Sequence, residues 1–260
     1  MKKLFLLITA CLMTASISAL SANEELLKKA QDNTSFYDTD FYAQYSIVQD
    51  KPGEGRSVTE AQMFRRDKSR CWTILVTAPS SEKGKGYLQL DETIWFYDPA
   101  DRRFTFSSAR DKFQNTNANT SDFGPQNYYT DYKIISDSQV KLGKYNCILF
   151  ELEAKKETAD YPLVKLWVSQ DDGLVRKKED YSLSGKKIRT TVIPSYQKVT
   201  SAGYERRIPV SMIIQDNLKG KKIAGKMEYE KTLVSISNVS LKKVEDAVYT
   251  KPYLEMAGAR

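Results

Sequence analysis

Histidine is absent from the 260 residues. Without imidazole there is no His-activated nucleophile and no His-ligated metal. Carboxylate-pair chemistry survives that exclusion. Cysteine is scarce, at three. Cys71 and Cys147 are 76 positions apart and form no metal-ligand cluster. Both lie in apolar, strand-like segments, where they read as two buried thiols or, in an oxidising compartment, as a disulfide. No block of five like charges occurs. After the N-terminal stretch, no apolar run approaches the ~18 residues of a membrane span.

The N-terminus carries the first positive signal. Lys2 and Lys3 precede the apolar stretch Leu4–Met13, and small residues follow through Ala22. This is the grammar of a secretory signal peptide over residues 1–22, cut near positions 21–22. A lipobox at Ile8-Thr9-Ala10-Cys11 is the rival reading, but only seven residues of apolar segment would precede that cut. The predicted mature domain is 23–260. Residues 1–22 hold two lysines and no acid, so their removal lowers the net charge from +7 to +5. The interspersed charges of such an exported, mildly basic chain read as a solvated surface or as a weak attraction to anionic head groups or acidic partners, and nucleic acid is not an expected partner.

The rest reads as sheet. Thr93–Phe106 (TIWFYDPADRRFTF) and Leu163–Tyr181 (LVKLWVSQDDGLVRKKEDY) repeat one pattern: an apolar run around a tryptophan, an acidic turn, a basic return strand. That is the pattern of an antiparallel hairpin. Asn23–Gln31 favours a helix, with acids in its first turn. Period-two segments then recur from Phe41 to Val239, with expected turns at Lys51–Arg56, Gly143-Lys144, Asp171–Gly173, Ser184-Gly185 and Asn217–Gly220. No βαβ alternation occurs. The predicted fold class is mainly β (α+β): one curved antiparallel sheet of about eleven strands, an incomplete β-barrel, with an N-terminal helix and a helical or irregular lid.

Ser107–Asp131 breaks the rhythm. A structureless stretch of that length inside a compact domain is characteristic of lids and binding loops. Its aromatics Phe113, Phe123, Tyr128 and Tyr129 are expected to pack onto something. Gly84-Lys85-Gly86 lacks the downstream Gly-Lys-Ser/Thr and helix of a phosphate loop. Asp98 and Asp101 sit in a Pro-containing turn, where Asp is favoured for local hydrogen bonds rather than for catalysis.

Taken in order, Pro79–Leu90, Trp95–Arg103, Ser121-Asp122-Phe123, Lys165–Gly185, Ile208-Pro209 and Tyr249–Leu254 resemble the outer-membrane lipoprotein-sorting proteins related to the carrier LolA. The resemblance spans nearly the whole mature chain. It departs from the family pattern after Phe123, where Gly124-Pro125-Gln126-Asn127 replaces an acidic run. It implies a periplasmic, monomeric, non-enzymatic carrier, without cofactor or metal, that shelters lipoprotein acyl chains or other lipid in an apolar concavity and acts as a chaperone in lipoprotein transport. An inner-membrane transporter and an outer-membrane acceptor are the implied partners. Candidate lipid contacts are Trp72, Ile74, Trp95, Tyr97, Phe104, Phe106 and Trp167, which read equally as ordinary core. Phe113, Asp122, Phe123 and Tyr128 are the candidate lid residues. Arg102 and Arg103 read as a solvated return strand or, alternatively, as a hold on the lid through Asp122 or a head-group contact. The alternative is a non-enzymatic envelope scaffold that binds a membrane-protein partner. A hydrolase would need two converging carboxylates, and no motif marks such a pair.

Overall fold

The computed structural model describes residues 20–259. Most of the expected signal segment, with Cys11, lies outside them. The first helix, α1 (Ala22–Asp32), starts slightly earlier than expected, because Ser21 and Glu24 form a reciprocal capping box at its N-terminus.

Thirteen strands, rather than about eleven, then build one sheet. They are β1 (Phe41–Lys51), β2 (Gly55–Arg66), β3 (Cys71–Ala78), β4 (Gly86–Leu90), β5 (Thr93–Asp98), β6 (Arg103–Ser107), β7 (Tyr132–Leu142), β8 (Tyr145–Ala154), β9 (Leu163–Ser169), β10 (Val175–Tyr181), β11 (Lys187–Ser201), β12 (Tyr204–Ile223) and β13 (Lys226–Ser240). A one-turn helix α2 (Tyr128–Asp131) precedes β7, and α3 (Lys251–Gly258) ends the described chain.

The strand order is 6-5-4-3-2-1-13-12-11-10-9-8-7, every pair antiparallel, and the sheet does not close. Strand twist accumulated over so many strands curls the sheet into an open half-barrel. Pairing of β1 with β13 places the two ends of the strand series in mid-sheet. The edges are β6 and β7, which are neighbours in sequence. Residues 108–131 therefore have to cross from one edge to the other. The irregular segment in the sequence is the strap that this topology requires.

The turn expected at Asn217–Gly220 is instead a bulge inside β12, where the register with β13 slips between Gln215 and Gly220. Asp216 accepts from the backbone N–H groups of Leu218 and Lys219, at 2.9 and 3.1 Å, which is turn chemistry within a strand. The actual hairpin turn is Ala224-Gly225, both at positive φ, as the tight primed hairpin turns require.

Alternation along the strands separates two faces. Phe41, Ala43, Tyr45 and Ile47 of β1 and Trp72, Ile74 and Val76 of β3 point into the concave core, where Phe113 and Phe123 of the strap join them. A second concave cluster packs Leu27 and Ala30 of α1 against Phe150, Leu166 and Val175, with Tyr128 and Tyr132. On the outer face Leu254 of α3 covers Leu88 and Tyr97. Cys71 and Cys147 are buried, free thiols on separate strands, so no disulfide links them.

Candidate functional site

The strap has two parts. The first folds back on itself, with Phe113 N–H donating to Ala118 C=O at 2.8 Å. Its tip reaches mid-sheet, where Asn117 N–H donates to Thr232 Oγ1 at 2.8 Å and to Gln49 Oε1 at 3.2 Å. Gln49 and Thr232 are buried polar groups of β1 and β13, and without the tip they would lose a partner. Lys112 adds an ion pair to Asp216 at 3.0 Å. Phe113 is fully buried, its ring centroid 5.1 Å from that of Tyr87 and 5.0 Å from that of Phe123.

The second part, from Thr120 to Asp131, closes over a cavity of about 110 Å³. Phe123 sits edge-on to Tyr45 at 5.7 Å. Tyr128 is buried from the α1 side. Opposite them the wall is built by Phe41 and Tyr45 of β1, Ile193 and Tyr196 of β11, Ile208, Met212 and Ile214 of β12, and Ile236 of β13. Helix α1 and the turn after it hold this part from behind: Gln31 Oε1 of α1 accepts from the N–H groups of Tyr129 and Thr130 at 2.9 and 3.1 Å, and Thr34 Oγ1, just past the helix, from Gln126 N–H at 3.0 Å.

A buried charged contact fastens the gate to the sheet. Asp122 receives both arms of the Arg189 guanidinium, at 2.6 and 3.0 Å. Arg189 Nε also donates to Asp180 at 2.9 Å, and Lys178 Nζ lies 3.2 Å from the other Asp180 oxygen. Burial alone would raise the Asp122 pKa, but the charges of Arg189 and Lys178 outweigh it and hold the carboxyl below its usual range. Arg189 is held above its ordinary value: desolvation acts against its charge and the two aspartates prevail. Asp160, nearby, goes the other way, raised chiefly by burial.

Three of the four expected lid residues, Asp122, Phe123 and Tyr128, therefore line the cavity, and Phe113 belongs to the anchored part. The partner of Asp122 is Arg189, not Arg102 or Arg103. Those two are exposed at the β5–β6 turn and make no ion pair among the described residues. None of the seven candidate lipid contacts lines the cavity. Trp72 and Ile74 do face the concave core, under the strap. Trp95, Tyr97 and Phe104 face outward, because Ile94 and Phe96 between them take the inner positions, and they pack with α3. Phe106 packs against Trp95, with ring centroids 4.2 Å apart, and is exposed. Trp167 also faces outward, with Lys177 Nζ 4.3 Å from its ring centroid. Tryptophans were the conspicuous residues, but strand parity decides which face each one serves. The wall residues of β12, Ile208, Met212 and Ile214, carry a period-two signal that could have marked them.

Across the gate from the cavity lies a polar cleft of about 640 Å³. Gly124, Gln126, Tyr128 and Lys178 contribute to both spaces, so the gate is the partition between an apolar and a polar compartment. No group of three or more potential metal ligands occurs among the described residues.

A family model described as an uncharacterized protein matches residues 69–256. The chain belongs to that family. No curated protein is similar to it in sequence. Solved structures share the fold across the chain. A LolA superfamily protein from Nitrosomonas europaea is 22% identical, with a TM-score of 0.71, covering 90% of this chain and all of its own. A DUF1329 family protein from Desulfovibrio piger is 16% identical, with a TM-score of 0.72, covering 90% and 98%. An outer membrane lipoprotein-sorting protein domain from Vibrio parahaemolyticus is 13% identical, with a TM-score of 0.73, covering 89% and 97%. The chain thus shares the half-barrel fold of these structures, with a strap whose gate closes over its apolar cavity.

Proposed function

We propose that this LolA-like protein is an extracytoplasmic, non-enzymatic lipid carrier that shelters an acyl chain of a lipoprotein or other lipid in the concave cavity. The observation that carries this reading is the aromatic gate: Phe123 and Tyr128 occupy the apolar space that the wall of β1 and β11–β13 encloses. A dry cavity of ~150 Å³ holds a benzene-sized ligand. The space of about 110 Å³ under the closed gate accepts only a fragment of an acyl chain. Full occupancy requires Phe123 and Tyr128 to withdraw, and the leading cost of withdrawal is the buried Asp122–Arg189 contact. Each buried methylene returns ~0.8 kcal/mol, so an entering chain can drive that displacement. The periplasm, a donor transporter and an outer-membrane acceptor fit this reading through the fold.

The test is saturable binding of a fluorescent 16-carbon acyl probe by the purified protein. Met212→Trp, which fills the cavity from β12, is expected to weaken binding at least tenfold while leaving the far-UV dichroism unchanged. Absence of saturable binding to the unmodified protein overturns the carrier reading.

A further inference from the structure

We infer that the cavity takes a single-chain amphiphile with an anionic head group, seated on Arg207 at a second mouth between the α1–β1 linker and the β11–β12 hairpin, an assignment that rests on the acyl-carrier reading. The apolar cavity adjoins a polar pocket of about 360 Å³, and Asn33 and Arg207 line both. This gives the cavity a polar neighbour that does not involve the gate residues.

The cations around the cavity differ in what they are free to do. Arg65 is committed to Asp67, at 2.6 and 3.1 Å, and to the Thr34 carbonyl at 3.0 Å. Lys178 is committed to Asp180 at 3.2 Å. Arg207 is exposed and has no carboxylate partner among the described residues, although it stands directly before Ile208 and Pro209 of the cavity wall. The other charges at this mouth are mostly neutralised. Arg206 pairs with Asp38, and Glu205 with Lys198 at 2.7 Å. Asp32 is the remaining carboxylate there, exposed and without an ion pair among the described residues. An apolar cavity with an uncommitted guanidinium at its rim matches an amphiphile whose head is a carboxylate or phosphate, which a guanidinium binds in bidentate geometry. One acyl chain is the natural occupant of a cavity this small.

The experiment compares three 16-carbon ligands, a fatty acid, a lysophosphatidic acid and the fatty alcohol, as competitors of a fluorescent acyl probe. Arg207→Gln is expected to weaken the fatty acid, the phosphate ligand or both by roughly three- to tenfold and to leave the alcohol within about twofold. Which acid suffers more identifies carboxylate or phosphate as the head group. Arg207→Lys should retain part of the preference, Asp32→Asn should strengthen the acids over the alcohol, and added salt should narrow the gap. Equal weakening of all three ligands by Arg207→Gln, or no weakening of either acid, overturns the head-group assignment while the carrier reading stands. An unmodified protein that binds none of the three overturns both.

Discussion

Arg189 is the side chain on which the gate depends most. It is buried between Asp122 of the strap and Asp180 of β10, so its removal would leave two carboxylates in a desolvated site. Breaking a buried pair from one side typically costs ~3–5 kcal/mol, because the uncompensated charge dominates. Arg189→Leu is therefore expected to lose several kcal/mol in urea unfolding, and Asp122→Asn distinctly less, since Asp180 keeps the guanidinium paired. Equal losses would show that Asp180 does not share the cation. The acids of this network also predict opposite pH dependences. Asp122, lowered in the fold, stabilises the protein above the ordinary carboxylate range and loses that contribution as pH falls through its folded pKa. Asp160 is raised by burial, so stability falls as pH climbs from the unfolded carboxylate pKa, ~4, through its folded value. Asp160→Asn should accordingly be more stable than the parent near neutral pH, with the difference vanishing below about pH 4. Urea midpoints of the two proteins across that range check it, and a pH-independent difference would remove Asp160 titration from the account.

At the scale of elements, the strap is two devices joined at Thr120. The tip is hydrogen-bonded to Gln49 and Thr232 in mid-sheet, whereas the gate hangs on Gln31 of α1, on Thr34 just beyond it and on Arg189. Gln31→Ala removes the acceptor shared by Tyr129 and Thr130 N–H. It should speed amide exchange over residues 126–131 and leave Phe113 and Asn117 as protected as before. Equal acceleration in both segments would make the strap one unit. The sequence showed this element by contrast: an aperiodic stretch with Phe113, Phe123 and Tyr128, set between regular strands, had to pack somewhere. It could not show the partner of Asp122. Arg189 lies 67 positions away, and only the wrapping of the sheet brings it to the gate. The outward orientation of Trp95 and Trp167 is not legible in the sequence for a related reason. Period two establishes that neighbouring residues face opposite sides, but which side is the concavity depends on how the whole sheet curves. The β12 bulge failed differently: Asp216 with the following Asn217–Gly220 is turn chemistry, and the long ladder with β13 overrode it.

For the molecule as a whole, an open half-barrel that is stable when empty has to fill its own concavity, and here the gate does so. Stability of the empty state and affinity for a chain then oppose each other through one residue. Phe123→Ala removes a buried ring from the concave core, for which a loss of ~3–5 kcal/mol is typical. The same change vacates space that an acyl chain would take and lowers the cost of displacing the gate. The empty variant should therefore melt well below the parent, by roughly 2–4 °C for each kcal/mol at this chain length. Saturating ligand adds a stabilisation of RT ln(1 + [L]/Kd), about 2.7 kcal/mol at one hundred times Kd. Because the vacated space improves binding, the ligand-induced rise in Tm should be larger for Phe123→Ala than for the parent at the same ligand concentration. Thermal unfolding of both proteins, with and without a 16-carbon amphiphile, measures the two effects together. A variant that melts early and gains no more from ligand than the parent would mean that Phe123 is core alone, and that the entering chain displaces something other than the gate.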